Sequence, residues 1–238
     1  MKENRIPQRR CLWPFVLSAL LLWLGLAAPT AALGQNPPTT AEQSGRQVLE
    51  EAQKVDDERL PFSQWQRQAM DHLLRFPDWT GNARIRARLD APQILAELKT
   101  KPIELRFQAL DGRQIDLAQL RGKVVLLDFW ATWCRINPEI VPHTIRLHHQ
   151  FHAQGLEVIG VSGDEDVAKV KNYMEAKGMT WPTYFNKAGF ESELCLHYNI
   201  HLPPERWLIN KQGKVVFKAT DMDKENQLDL EIRKLLAE

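Results

Sequence analysis

The chain reads as an α/β protein: a central sheet with helices on both faces, a β-hairpin ahead of it, and a small all-helical segment before that. Three features carry this assignment. Residues Val124 to Trp130 are apolar at every position but Asp128, the pattern of a strand covered on both faces. Helix-like and strand-like stretches alternate after it. The chain then closes with two strands joined by Gln212-Gly213 and a final helix.

From Ser44 to Lys99 apolar residues fall at helical spacings, such as Val48, Leu49, Ala52 and Val55. Pro61, Pro77 and Pro92 divide this stretch into three or four short helices, with Asp90 as the N-cap of a helix running through Ile94, Leu95 and Leu98. Trp65, His72 and Trp79 stand there without paired acids or ligand spacing and are read as packing residues. Period two takes over at Pro102. Ile103 to Phe107 and Gln114 to Leu117 flank Asp111-Gly112, a tight-turn dipeptide, and predict the hairpin. After the strand from Lys123 to Trp130, the predicted order is helix Cys134 to His152, strand Leu156 to Ser162, helix Asp166 to Lys177 and a short strand near Pro182 to Phe185. Helix Phe190 to Tyr198, hairpin strands Arg206 to Ile209 and Lys214 to Lys218, and helix Gln227 to Leu236 follow. Asp164-Glu165-Asp166 reads as the cap and first-turn charge of the helix ending at Lys177.

With 31 Lys+Arg against 30 Asp+Glu and 44% hydrophobic residues in 238, the composition excludes a disordered or nucleic-acid-coating chain. The N-terminus has its own pattern: Lys2, Arg5, Arg9 and Arg10 precede an uncharged apolar run from Leu12 to Ala28, and small residues follow at Ala32-Leu33-Gly34. That is a secretory signal over residues 1–34, or a membrane tether if it is retained. Residues 35–43 form a Pro/Thr/Ala-rich linker, 44–100 the helical segment and 101–238 the α/β domain. Removing the signal takes away four cations and one anion, leaving 27 against 29, so no basic patch and no nucleic-acid partner are implied. Cys11 leaves with the signal, so Cys134 and Cys195 are the sulfurs of the exported, periplasmic chain.

The stretch Leu126-Leu127-Asp128-Phe129-Trp130-Ala131-Thr132-Trp133-Cys134, a buried strand delivering a cysteine to a helix start, resembles the thioredoxin superfamily. With the hairpin before it and GLEVIGVSGDED after it, residues 101–238 resemble the exported TlpA/ResA type of thiol-disulfide oxidoreductase. The resemblance implies a thioredoxin fold with a central mixed sheet, and thiol-disulfide exchange with protein or small-molecule thiols and disulfides. No cofactor or metal is called for. A cysteine at a helix N-terminus faces unpaired N–H groups that favour the thiolate, and Arg135 adds positive charge.

The family's second cysteine is absent, since Cys134-Arg135-Ile136 is followed by Asn137. An amide cannot close an internal disulfide, which leaves monothiol chemistry: Asn137 is expected to hydrogen-bond the Cys134 thiolate, and an external reductant thiol must release each mixed disulfide. The resemblance makes Asp128 the family's buried acid, Pro142 its kinking proline and Pro204 its cis-proline. Trp133, Arg135, Pro203 and Arg206 are the substrate-binding candidates; Pro203 has no backbone N–H to offer a bound chain, and Arg206 adds bulk and charge. Cys195, among apolar neighbours, reads as core, with a disulfide to Cys134 as the sharper alternative. His143, His148, His149 and His152 read as a solvated helix face rather than a metal site. The peroxiredoxin spacing Pro-x-x-x-Thr-x-x-Cys does not precede Cys134. The alternative function is a redox-inactive binding module that holds a protein through the cis-proline groove and the helical segment.

Overall fold

The computed structural model describes residues 40–56, 58–220 and 225–238. The signal and most of the linker lie outside the described residues. Three helices open the chain: α1 (Ala41–Asp56), α2 (Phe62–Arg75) and α3 (Asn82–Thr100). The first begins ahead of Ser44 because the Thr40 hydroxyl accepts from Gln43 N at 3.2 Å and starts the helix early. Pro92 does not start a helix. It lies inside α3, so Asp90 is a mid-helix residue and not an N-cap. The helices share a core of Val48, Ala52, Trp65, Ala69, Leu73 and Ile85, and Trp65 Nε1 donates to the Val48 carbonyl at 2.8 Å. Trp79 closes the top of this core between two glycines: a Cβ on Gly45 or Gly81 would stand 2.3 or 2.2 Å from its ring.

The hairpin is β1 (Arg106–Gln108) and β2 (Gln114–Asp116), paired antiparallel with Phe107 opposite Ile115. Its turn is completed by Gly112 at φ +89°, a conformation that glycine adopts without a Cβ clash. The main sheet contains β3 (Val124–Trp130), β4 (Leu156–Ser162), β5 (Thr183–Tyr184), β6 (Glu205–Ile209) and β7 (Val215–Ala219) in the order β5-β4-β3-β6-β7. β4 runs parallel to both β3 and β5, while β6 is antiparallel to β3 and β7, so the sheet is mixed. The helices of this half are α4 (Asn137–Phe151), α5 (Val167–Lys177), α6 (Glu193–His197) and α7 (Glu225–Ala237).

Alternation along β3 sends successive side chains into two cores. Val124, Leu126 and Trp130 pack with Val141, Leu147 and Phe151 of α4, Val170 of α5 and Leu228 and Ile232 of α7. Val125, Leu127 and Phe129 pack on the other side with Phe107 of the hairpin, Leu194 and Cys195 of α6 and Leu98 of α3. Helices therefore cover both faces, and α3 links the helical segment to the sheet by giving Ile85 to the helical core and Leu98 to the core on the hairpin side of β3. The predicted helix 190–198 is interrupted at Ser192, which is extended at ψ 150° and separates a 3-10 turn, Gly189–Glu191, from α6.

Candidate active site

Cys134 lies beyond the end of β3, in the loop that connects it to α4. The helix starts at Asn137, three residues later than predicted, because the chain first closes a turn in which Asn137 N donates to the Cys134 carbonyl at 3.2 Å. Pro138 sits in the first helical turn, where its missing N–H costs nothing. Cys134 is a free, half-buried thiol flanked by exposed Trp133 and exposed Arg135. Arg135 forms no ion pair among the described residues. Trp133 is 55% exposed and meets the Phe190 ring edge-on, with ring centroids 6.1 Å apart.

Two anchors fix the loop. Asp164, read from sequence as part of a helix cap, is buried beneath it instead, accepting from Thr132 N at 2.9 Å, from Thr132 Oγ1 at 2.5 Å and from Ser162 Oγ at 2.9 Å. Only Asp166 caps α5, accepting from Ala168 N and Lys169 N. Sequence spacing gives no hint of the first arrangement, because Thr132 and Asp164 are brought together only by the parallel pairing of β3 with β4. The second anchor is Asn137. Its side chain is 2% exposed and donates to the Ala131 carbonyl at 2.7 Å, the same oxygen that accepts from Cys134 N at 3.0 Å. That donated hydrogen bond, expected for the Cys134 sulfur, goes to the backbone of the turn.

Tyr173 of α5 was not singled out in the sequence. Its ring packs against Trp130, centroids 5.5 Å apart. Burial, the largest influence, holds the Tyr173 hydroxyl above its ordinary pKa, with the Asn137 side chain opposing the rise and the Cys134 sulfur adding to it.

The peptide between Pro203 and Pro204 is cis, immediately before β6. Phe129 pairs with Glu205 across the sheet, so this loop and the Cys134 loop emerge at the same end. Neither proline carries an N–H, and Leu202 before them is 65% exposed. Arg206 is elsewhere. It is 0% exposed and lies opposite Asp128 in the register, on the α4 face, so it is a core residue and contacts no substrate. Strand alternation is the reason: two residues beyond Pro204 the side chain points into the layer under α4.

Asp128 is 1% exposed and neither carboxylate oxygen has a hydrogen-bond partner. Burial pushes its carboxyl up to about 6, with the positive charge of Arg206 opposing the rise. His143 of α4 is on the same layer and meets Asp229 of α7, Nε2 to Oδ1, at 2.6 Å. His148 and His152 stack on each other with ring centroids 4.8 Å apart. Cys195 is 0% exposed in the opposite core, a free thiol that burial pushes up to about 11, so it is no partner for Cys134 in this structure.

Residues 97–218 match the model of the AhpC/TSA family. The chain is 30% identical over 126 residues to the thiol-disulfide oxidoreductase ResA of Bacillus thuringiensis subsp. konkukian, spanning 53% of this chain and 71% of that one. It is 32% identical over 110 residues to ResA of Bacillus subtilis, spanning 46% and 60%. Among solved structures, a thiol-disulfide oxidoreductase from Bacteroides fragilis superposes with a TM-score of 0.50 at 21% identity, over 56% of this chain and 98% of that one. A Chlorobium tepidum protein assigned as the thiol:disulfide interchange protein DsbE gives 0.51 at 23% identity, over 57% and 95%. These likenesses show a shared thioredoxin-like fold. With its redoxin domain matched across the sheet and the Cys134 loop, the chain belongs to the AhpC/TSA family and is related to its thiol-disulfide oxidoreductases.

Proposed function

We infer that this chain carries out thiol-disulfide exchange as a monothiol, with Cys134 as the reacting sulfur. The observation that carries the reading is the contrast between its two described cysteines: Cys134 is free and reachable, Cys195 is sealed in the core, and an amide occupies the position three residues on. The Cys134 thiolate attacks one sulfur of a disulfide RS–SR′; the new S–S bond forms as R′S⁻ leaves. An external thiolate then attacks the RS sulfur of the mixed disulfide, expelling the Cys134 thiolate and carrying RS away as a new disulfide. The net step exchanges R′S⁻ for one external thiolate with Cys134 returned unchanged; a second external thiolate attacking the new disulfide releases RS⁻ and completes a two-electron reduction whose electrons come from two external thiols. Exposed Trp133 and the Leu202-Pro203-Pro204 loop would form the apolar surface on which a substrate rests.

Export belongs to the same proposal: residues 1–34 act as a signal peptide or tether, 35–43 as linker, 44–100 as the helical segment and 101–238 as the catalytic domain, facing the periplasm. Among the described residues no helix is long and apolar enough to cross a membrane. Full-length protein carrying Cys11→Ser, incubated with glutathione disulfide, tests the chemistry. One glutathione adduct per chain is expected, at Cys134, removed by added thiol and abolished by Cys134→Ser; absence of an adduct in the wild type refutes the reading. The two consecutive residues without N–H groups at Pro203-Pro204 favour a second reading, a redox-silent binding module. Its mark is partner capture that Cys134→Ser leaves unchanged.

A further inference from the structure

The surface around Cys134 offers a bound main chain little to pair with, and it carries an unclaimed cation. An extended peptide laid beside another chain exchanges N–H and C=O hydrogen bonds with the residue that faces it. Pro203 and Pro204 have no N–H to give, and the next residue, Glu205, is already paired with Phe129 in the sheet. A polypeptide therefore gains little there that a small molecule does not. Arg135 follows the sulfur by one residue; its side chain is exposed and, among the described residues, has neither a hydrogen bond nor an ion pair. Consecutive Cα atoms are about 3.8 Å apart, so a small ligand joined to the sulfur stays within the radius that the guanidinium sweeps.

Most acids at this end of the sheet have partners of their own. Asp164 accepts from Thr132 and Ser162, Asp166 caps α5, and Glu205 accepts from Trp207 Nε1 at 2.6 Å with Lys218 Nζ 3.8 Å away. Glu139 and Glu165 are exposed, and neither is paired with Arg135. The third observation is Asn137, buried against the Ala131 carbonyl where a second sulfur would stand. Each mixed disulfide must then be resolved by a thiol arriving from solution, at a half-buried sulfur flanked by exposed Trp133 and Arg135.

We propose that the substrate of Cys134 is a small acidic disulfide, with Arg135 binding its carboxylate and the Trp133 ring supporting its carbon chain. The proposal rests on the exchange chemistry of Cys134 and narrows its substrate. The Cys134 thiolate attacks one sulfur; a new S–S bond forms, the old one breaks, and one half leaves as a thiolate. The carboxylate of the retained half stays beside Arg135 until an external thiolate attacks that half and expels the Cys134 thiolate.

Three symmetric disulfides of similar size separate charge from chemistry: dithiodipropionate is anionic, hydroxyethyl disulfide neutral and cystamine cationic. Adduct formation at Cys134 is followed by mass spectrometry in the full-length chain carrying Cys11→Ser, each rate divided by that of the same disulfide with mercaptoethanol. The expected order in the wild type is anion, neutral, cation. Arg135→Gln should lower the anion-to-cation ratio by on the order of tenfold at low salt, since one charge about 7 Å away in water changes each rate by about threefold in opposite senses. Any change in ionisation of the thiol acts on all three disulfides alike and cancels from the ratio. Lys54→Gln removes an exposed cation from α1 and should leave the ratio unchanged, while salt at about 0.5 M should shrink it in the wild type. A disulfide of uncharged, blocked pentapeptides should react no faster than that of blocked cysteine. The proposal is overturned by a reversed order in the wild type or by a ratio that Arg135→Gln leaves within about twofold. A pentapeptide faster than blocked cysteine by on the order of tenfold overturns it as well. Adducts that form without regard to charge sink this inference alone; no adduct with any of the disulfides sinks the exchange reading and the inference with it.

Discussion

Replacing Asp128 by asparagine should make this protein more stable at neutral pH, and the gain should vanish in acid. Asp128 is 1% exposed and its two oxygens have no hydrogen-bond partner, so ionising it in the folded state costs free energy even with Arg206 beside it in the register. The sign follows from the direction of the shift. The folded-state carboxyl is pushed up to about 6 from 3.8, so between those values the folded chain holds a proton that the unfolded chain has lost, and stability falls as pH rises through that window. At about 1.4 kcal/mol per pH unit, the full loss is about 3 kcal/mol above pH 7. About 1 kcal/mol of it is already present at about pH 4.5, leaving about 2 kcal/mol to develop by about pH 8. Asparagine is nearly the same shape as the protonated acid and does not titrate. Urea unfolding of both proteins, read by tryptophan fluorescence at several pH values, should show the asparagine variant gaining about 2 kcal/mol on the wild type across that interval. His143 titrates in both proteins and drops out of the difference. A flat difference, or one that moves against the variant as pH rises, would refute the reasoning and mean that Asp128 and Arg206 form an ion pair strong enough to repay the burial of both charges.

Three further expectations concern the Cys134 loop and the helical segment. Native protein treated with iodoacetamide should take label at Cys134 and none at Cys195, which is 0% exposed, until denaturant is added; mass spectrometry of the peptides reads this directly. Asp164→Ala removes a carboxylate that accepts from Thr132 twice and from Ser162, and should cost about 3 kcal/mol in urea unfolding with faster proteolysis of the Cys134 loop. Arg84→Ala breaks a solvent-exposed 2.8 Å ion pair with Glu191 and should cost less than about 1 kcal/mol, whereas Ile85→Ala empties a side chain that is 0% exposed and should cost about 2–5 kcal/mol.

What the sequence disclosed and what it withheld divide along a physical line. Local rules wrote the strands plainly: β3 is apolar because both of its faces are covered, and Gly112 and Gly213 sit at positive φ where the turns require it. Asp166 was readable as a cap because a cap bonds to residues two and three positions ahead. Asp164, two residues earlier and of the same type, was misread because its partners come from a different strand. Arg206 was placed at the substrate because it follows the cis-proline, yet alternation along β6 turns it under α4 toward Asp128. Tyr173 gave no signal at all. A tyrosine on a surface-seeming helix is ordinary, and only the packing of α5 on the sheet brings its ring against Trp130 at the end of β3. The cysteine itself was legible as a motif, while the hydrogen bonds around it depend on contacts between elements that no spacing rule encodes.

Asn137 is where those two kinds of information meet, and Asn137→Cys separates them. Asn137 N donates to the Cys134 carbonyl at 3.2 Å, which closes a four-residue turn and keeps its end Cα atoms within about 7 Å, inside the range a disulfide spans. A cysteine introduced at 137 is therefore positioned to capture the Cys134 mixed disulfide. The glutathione adduct should be transient, replaced by an internal disulfide two mass units lighter than the reduced chain, so that each reduced chain converts one glutathione disulfide to two glutathione thiols before an external reductant is needed. The reduced variant should also be less stable by about 1 kcal/mol, because the bond from the Asn137 amide to the Ala131 carbonyl is lost. A variant that accumulates the glutathione adduct as the wild type does would mean that the 137 side chain faces away from the sulfur. The amide would then serve the turn alone, through its bond to the Ala131 carbonyl.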